Sequence, residues 1–253
     1  MSQFEDAIPE SVRHFVRIFS RSILNSSAQS NPNELLQLYT VEYNKLTERM
    51  YKTSTWPTID TLSSTFTSRD QNILIDSSTS SITLPGLLYR ELFYRHIYTR
   101  MVPELDDRFD SFQNYIDLFN HLLGLDESTP ELILPTIYQY DLIHYFIQQF
   151  IEFHQYRQNT AELSAGDINT LCDSGVHLWS AQTVLRYLHA FIRKSGIDDS
   201  TADNSIIHTQ FKSFGQFASI GLCRVNTVLC DYQNALISLD TIILPNDLRK
   251  KVW

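Results

Sequence analysis

The sequence predicts an all-α fold, a helical-repeat array of antiparallel helices. Three observations carry the prediction. Apolar residues return every three or four positions along most of the chain, the period of one helix face. The alternation of a half-buried strand is missing, and only "NILI" at 72–75 and "SITL" at 81–84 look strand-like. Helix punctuation brackets the periodic runs, as Ser180 and Gly196 do around "AQTVLRYLHAFIRKS".

The elements follow in order. Pro9 opens the first helix, and Val12, Phe15, Phe19 and Ile23 share a face. The stretch 31–51 repeats the pattern with Leu35, Tyr39, Tyr43, Leu46 and Met50, so residues 1–51 form an N-terminal helical segment. Residues 52–83 are rich in Ser and Thr, poor in charge, and predicted to be a connector. Helices resume at 84 and run on as one array through 253.

The first helix of that array contains "ELFYRHIYTRM" at 91–101, with aromatics threaded between Arg95 and Arg100. Two chemistries use that pattern: base stacking flanked by phosphate-binding arginines, and the inside of a helical scaffold. Leu87, Tyr94, Tyr98 and Met101 share one sector of the wheel, and Leu88 and Leu92 lie roughly opposite. A helix apolar on most of its circumference is buried between neighbours. Glu91 precedes Arg95 by four residues, the favoured order for an ion pair. The scaffold is the expectation.

In the next helix Leu105, Phe109, Phe112, Ile116, Phe119 and Leu123 form one stripe, with Asp106, Asp107, Asp110, Asn114 and Asp117 away from it. Phe112 is thus expected in the core, where truncation to Ala costs about 3–5 kcal/mol. Asn114 is expected to face solvent. A long aromatic helix follows over 135–157, then the helix between Ser180 and Gly196, a polar acidic stretch at 195–207, and a closing helix pair. "LCDYQNALISLDTI" at 229–242 resembles the second half of a tetratricopeptide-like pair, with Ala235 and Leu239 at tight inner positions. Tyr232, Leu236, Leu239 and Ile243 make a stripe, part of which can pack on Leu222, Val225 and Leu229. Pro245 stops the helix and no polar capping helix follows. The stripe is therefore the candidate partner interface, to be covered by further repeats or by a partner subunit.

Composition narrows function. The net charge is -9 and the sequence pI about 5.3, which weighs against a chain devoted to gripping nucleic-acid backbone. Seven glycines leave little material for phosphate loops. No catalytic, dinucleotide-binding or metal motif is present, and no cofactor is expected. Asp141 and His144, three apart, are a common helix-surface pair rather than a catalytic dyad, and Glu152 and His154, two apart, lie on different helix faces. Cys223 and Cys230 have a spacing of seven that a shared helix face allows; two thiols alone do not make a zinc site, and they are expected to be small buried apolar residues. With Cys172 they fit a reducing compartment. The start of the chain has no secretory h-region, no run is long enough to span a bilayer, and "NSS" at Asn25 is a chance match to the glycosylation pattern. The cytoplasm is the expected location.

Six ordered blocks also carry a resemblance: "KLTERMYKTSTWP" at 45–57, "LYRELFYRHIYTR" at 88–100, "RFDSFQNYIDLFNHLL" at 108–123, "FIEFHQYRQNTA" at 150–161, "LWSAQTVLRYLHAF" at 178–191 and "GLCRVNTVLCDYQNALISL" at 221–239. Together they resemble the L subunit family of eukaryotic translation initiation factor 3, from about Ile8 to the last helix. The resemblance implies a non-catalytic helical scaffold leading into a PCI domain that would lie beyond these residues. It implies partners in that complex, notably the K and E subunits, and the small ribosomal subunit with mRNA recruitment through the assembly. The alternative is a helical-repeat protein that contacts ribosomal or messenger RNA directly. No membrane contact is expected.

Overall fold

The computed structural model describes residues 8–24, 32–66, 72–76, 78–79, 81–124, 133–159, 161, 163–173, 175, 177–196, 206–240 and 242. It is all-α apart from one two-stranded hairpin among those residues. The contacts separate into two compact units, 1–135 and 136–253.

In the first unit α1 (Glu10–Leu24) buries Val12, Phe15, Val16, Phe19 and Ile23, the predicted face. Glu10 in its first turn holds Arg13 at 2.5 Å and Arg17 at 3.1 Å. The next helical path runs through α2 (Pro32–Gln37), a π-helical stretch (Leu38–Glu42) and α3 (Tyr43–Met50). Its buried residues include Leu35, Tyr39, Tyr43 and Thr47, spaced by four throughout. An α-helix drifts off a strict spacing of four, and the wider π turns take up the difference. The predicted Leu46 and Met50 are therefore only half-buried, and Thr47 takes the inner position.

The described residues of the stretch predicted as a Ser/Thr connector include a short helix and a hairpin. Trp56 is 1% exposed, stacks on Tyr43 with centroids 5.1 Å apart, and donates its indole N–H to Thr47 at 3.1 Å. Helix α4 (Ile59–Thr65) is capped by Thr58, and β1 (Ile75–Asp76) pairs antiparallel with β2 (Ser81–Ile82). Asp76 accepts from the Ser78 hydroxyl and amide, which holds its carboxyl below the usual value. Thr83 then does two jobs. Its hydroxyl donates to the Ile73 carbonyl at 2.6 Å and accepts from the Gly86 amide at 3.3 Å, capping α5 (Leu84–Arg100). A Cβ on Gly86 would sit 2.3 Å from the Leu74 carbonyl oxygen, so only glycine lets the hairpin lie against the helix.

Helix α5 is the inner helix predicted from its circumference, with Leu84, Leu87, Leu88, Leu92, Tyr94 and Ile97 all buried. The Glu91–Arg95 pair is buried with it. Arg95 donates to Glu91 Oε1 from Nε at 2.9 Å and to both carboxylate oxygens from Nη2 at 2.7 and 2.8 Å. The Tyr39 hydroxyl accepts from Arg95, and Tyr115 donates to Glu91 at 3.2 Å. Burial and then the Glu91 charge push the Tyr115 phenol well above its ordinary value. Tyr43 donates to the Leu92 carbonyl and Tyr89 to that of Pro57. His96 donates from Nε2 to the Ser54 carbonyl at 2.9 Å, and burial lowers its pKa.

Helix α6 (Leu105–Leu123) starts with a capping box between Glu104 and Asp107 and stops at Gly124, whose φ is 68°. Its rotation corrects the predicted face in part. Leu105, Phe119 and Leu123 are buried as expected, but Arg108, Ser111, Asn114, Tyr115, Leu118 and Leu122 also point inward, while Phe109, Phe112 and Ile116 are half-buried. Asn114, 1% exposed, donates to the Leu87 carbonyl at 3.1 Å. The inner surface of α5 is partly polar, so the helix packed on it turns its polar stripe inward: Ser111 donates to the Arg108 carbonyl and Arg108 lies over the Tyr98 ring.

The second unit holds α7 (Thr136–Gln158), α8 (Ala165–Asp173), α9 (Ala181–Ser195), α10 (Ile206–Val228) and α11 (Tyr232–Asp240). Helix α10 packs on α7, α9 and α11. A Cβ on Gly221 would meet Ile147 Cδ1 at 2.5 Å, which sets the α7–α10 approach. Phe191 stacks on Phe214 at 5.1 Å. Helix α9 begins with Ser180 as N-cap and ends with Gly196 at φ 57°, as the sequence indicated. The buried Trp179 before it adopts a φ of 49°, held by Phe146 and by His154, which donates to its carbonyl at 3.0 Å. Much of the acidic stretch that follows α9, residues 197–205, lies outside the described residues.

Candidate functional site

The candidate interface is built on the tight turn between α10 and α11. The Asp231 amide bonds back to the Asn226 carbonyl at 2.8 Å and the Cys230 amide to that of Thr227 at 3.1 Å. That pair of bonds is a Schellman stop, with Cys230 at φ 62° where glycine is usual. Asp231 then caps α11, accepting from the Asn234 amide at 3.2 Å and from its side chain at 2.7 Å. Cys230 therefore lies in the turn, exposed, and does not share a helix face with Cys223. Its contact with Tyr232 raises the phenol's pKa, the hydrogen bond being the larger cause.

Only small residues of α11 face inward: Ala235 is 4% exposed and Ser238 6%. On the α10 side Leu222 and Val225 are buried, but Leu229 is 43% exposed. The predicted stripe therefore points outward. Tyr232 is 61% exposed, Leu236 67% and Leu239 42%, so Leu239 is not an inner position. Ile237 and Val228, missed from the sequence, extend this surface. Ile243 lies outside the described residues. The signal that would have found the orientation is size: the hairpin is tight enough to need Ala235 and Ser238 at the contact, and that choice turns Leu236 away.

Val228 and Leu229 also wall a cleft of about 350 Å³ with Phe150, Ile151, His154 and Ala181. The apolar surface thus runs from α11 into a depression between α7 and α10. Glu152 accepts from Gln148 at 2.8 Å, while His154 serves the Trp179 carbonyl, so these two are committed to different partners. His144 Nδ1 lies 3.3 Å from Arg224 and 3.5 Å from the Tyr140 hydroxyl. Among the described residues no group of three His, Cys, Asp or Glu is placed to hold a metal ion, and no helix is long and apolar enough to cross a membrane.

Stacked helices, with an apolar outer face on the α10–α11 hairpin, define the class: an all-α helical array. A family model described as RNA polymerase I-associated factor PAF67 matches residues 107–252, more than half of the chain, and the chain belongs to that family. It is also similar to curated proteins named eukaryotic translation initiation factor 3 subunit L, as the six sequence blocks indicated. The protein of Mycosarcoma maydis is 34% identical over 250 residues, covering 94% of this chain and 34% of the relative. That of Nematostella vectensis is 32% identical over 249 residues, covering 94% and 44%. The Homo sapiens protein is 32% identical over 272 residues, covering 96% and 46%. The chain thus spans between a third and a half of the length of these relatives.

Proposed function

We propose that this chain is the helical-repeat part of a translation initiation factor 3 L subunit and acts as a non-catalytic scaffold in that cytoplasmic complex. Its role is architectural: it holds neighbouring subunits, notably K and E, and supports assembly on the small ribosomal subunit and mRNA recruitment. The names of the relatives support the assignment to the complex. The observation that carries the docking role is the exposed apolar surface of Tyr232, Leu236, Ile237 and Leu239 beside Val228 and Leu229. Each such side chain left in water forgoes roughly 1.5–3 kcal/mol of burial. Six within twelve residues make a surface that stable monomers cover. The relatives are more than twice as long as the part matched here, so the occupant is further helical polypeptide, in the L subunit's own PCI region or in an adjoining subunit.

The test is L236E/L239E in the intact subunit, with co-purifying subunits read by mass spectrometry. The expected result is loss of assembly while helical circular dichroism is retained, since both positions face water in this unit. A variant that folds and still assembles like the parent removes α11 from the interface. Collapse of the helical signal would make these residues core.

A further inference from the structure

Helices α9 and α10 contain no aspartate or glutamate, in a chain where acids outnumber Lys and Arg by 29 to 20. On α9 Gln182, Arg186, His189 and Arg193 recur at i, i+4, i+7 and i+11, a single helix face, and all four are exposed. Several cations of the first unit meet acids: the half-buried Arg13 and Arg17 meet Glu10, and the exposed Lys45 and Arg100 meet Glu42 and Glu48. No acidic side chain among the described residues pairs with Arg186, His189 or Arg193; Arg186 lies over the ring of Tyr187 at 5.1 Å. The helix dipole rewards a cation in the last turn and so accounts for Arg193 and Lys194. It fades within one turn and does not account for Arg186 or His189.

The make-up of the face selects its partner. No large apolar side chain of α9 is exposed. A protein interface desolvates an apolar centre, whereas phosphate contacts need cations and polar groups and tolerate water. Arg186 and Arg193 stand about 10 Å apart along the axis, enough for each to take its own phosphate. We infer that the outer face of α9, formed by Arg186, His189 and Arg193, is a contact site for the phosphate backbone of RNA. It differs in chemistry from the apolar surface of α11 and does not depend on that surface being an interface.

The test titrates the 253-residue chain against a short RNA duplex by fluorescence anisotropy between 50 and 200 mM salt. R186Q/R193Q binds roughly fivefold or more weakly at low salt, and the slope of log affinity against log salt becomes shallower by about 2, one phosphate for each arginine lost. R186K/R193K keeps the parental slope. K45Q/R49Q, which removes two cations from α3, changes binding less than about twofold. Circular dichroism is read for each variant; should the double glutamine variant lose helix, R186Q and R193Q singly carry the test with half the change in slope. The inference is overturned if the parental chain does not bind the duplex, if the α3 variant loses as much as the α9 variant, or if the α9 variant keeps the parental slope. Poly-glutamate that competes as well as RNA at equal charge assigns the face to acidic peptides and also overturns it.

Discussion

Residues 1–135 and 136–253 are both helical, but they differ in the charge they bury and in the apolar surface they expose. The first unit buries ionisable groups, with Glu91, Arg95, His96 and Arg108 all at most 6% exposed, whereas the buried polar side chains of the second, such as Gln149 and Asn226, are neutral. The second unit leaves apolarity outside. Among the described residues, the large apolar side chains left exposed in the first unit are Leu24, Val41 and Val102, whereas the second has ten. Six of those ten fall between 228 and 239. A buried network of hydrogen bonds and charge fixes one arrangement, because any other orphans a charged group. An exposed apolar face fixes nothing internally and stores burial free energy for a partner. The comparison therefore separates a part defined by its internal polar network from a part that exposes the apolar face proposed above as a docking surface.

The largest break expected in this comparison is Glu91→Gln. It leaves the buried Arg95 without its carboxylate and should cost about 3–5 kcal/mol in urea unfolding. Leu236→Ala in the second unit should stay within about 0.5 kcal/mol. Equal effects would erase the distinction. The next effect is smaller. Asn114→Ala orphans a buried helix-to-helix hydrogen bond and should cost about 1–3 kcal/mol. Phe112→Ala, half-buried, should lose less than the about 3–5 kcal/mol of a fully buried phenylalanine such as Phe119. The same denaturation series reads all four.

The first unit should also carry a pH dependence. The folded state lowers the pKa of His96, so it binds that proton less readily than the unfolded chain. Stability from this site is present above the ordinary histidine value and declines as pH falls through it. Unfolding midpoints between pH 7.5 and 5 should drop in the parent, and the drop should shrink in His96→Gln, whose amide can still donate to the Ser54 carbonyl. An identical drop in the variant would place the titration elsewhere. The smallest effect belongs to the second unit. Cys230→Gly relieves a left-handed residue in the α10–α11 turn and should stabilise by roughly 0.5–1 kcal/mol. Loss of stability there would mean that the thiol contact with Tyr232 outweighs the backbone strain.

The sequence by itself determined the elements. Helix periods, the Ser180 and Gly196 caps, the burial of α5 and the pairing of Glu91 with Arg95 are local consequences of spacing and capping, and they read directly. The two strand-like scraps also read directly, because they pair with each other across a short turn. Rotation was decided by the tertiary structure. Periodicity shows that α6 and α11 each have an apolar stripe, but it does not say what the neighbouring surface offers. Beside the partly polar α5, Asn114 and Arg108 turn inward and Phe112 moves to the edge. Beside α10, a tight hairpin admits only Ala235 and Ser238, so Leu236 and Leu239 turn out. The reason is the same in both cases: a helix orients by the pairwise fit of size and hydrogen-bonding groups across a contact. One strand of sequence contains only half of each such pair.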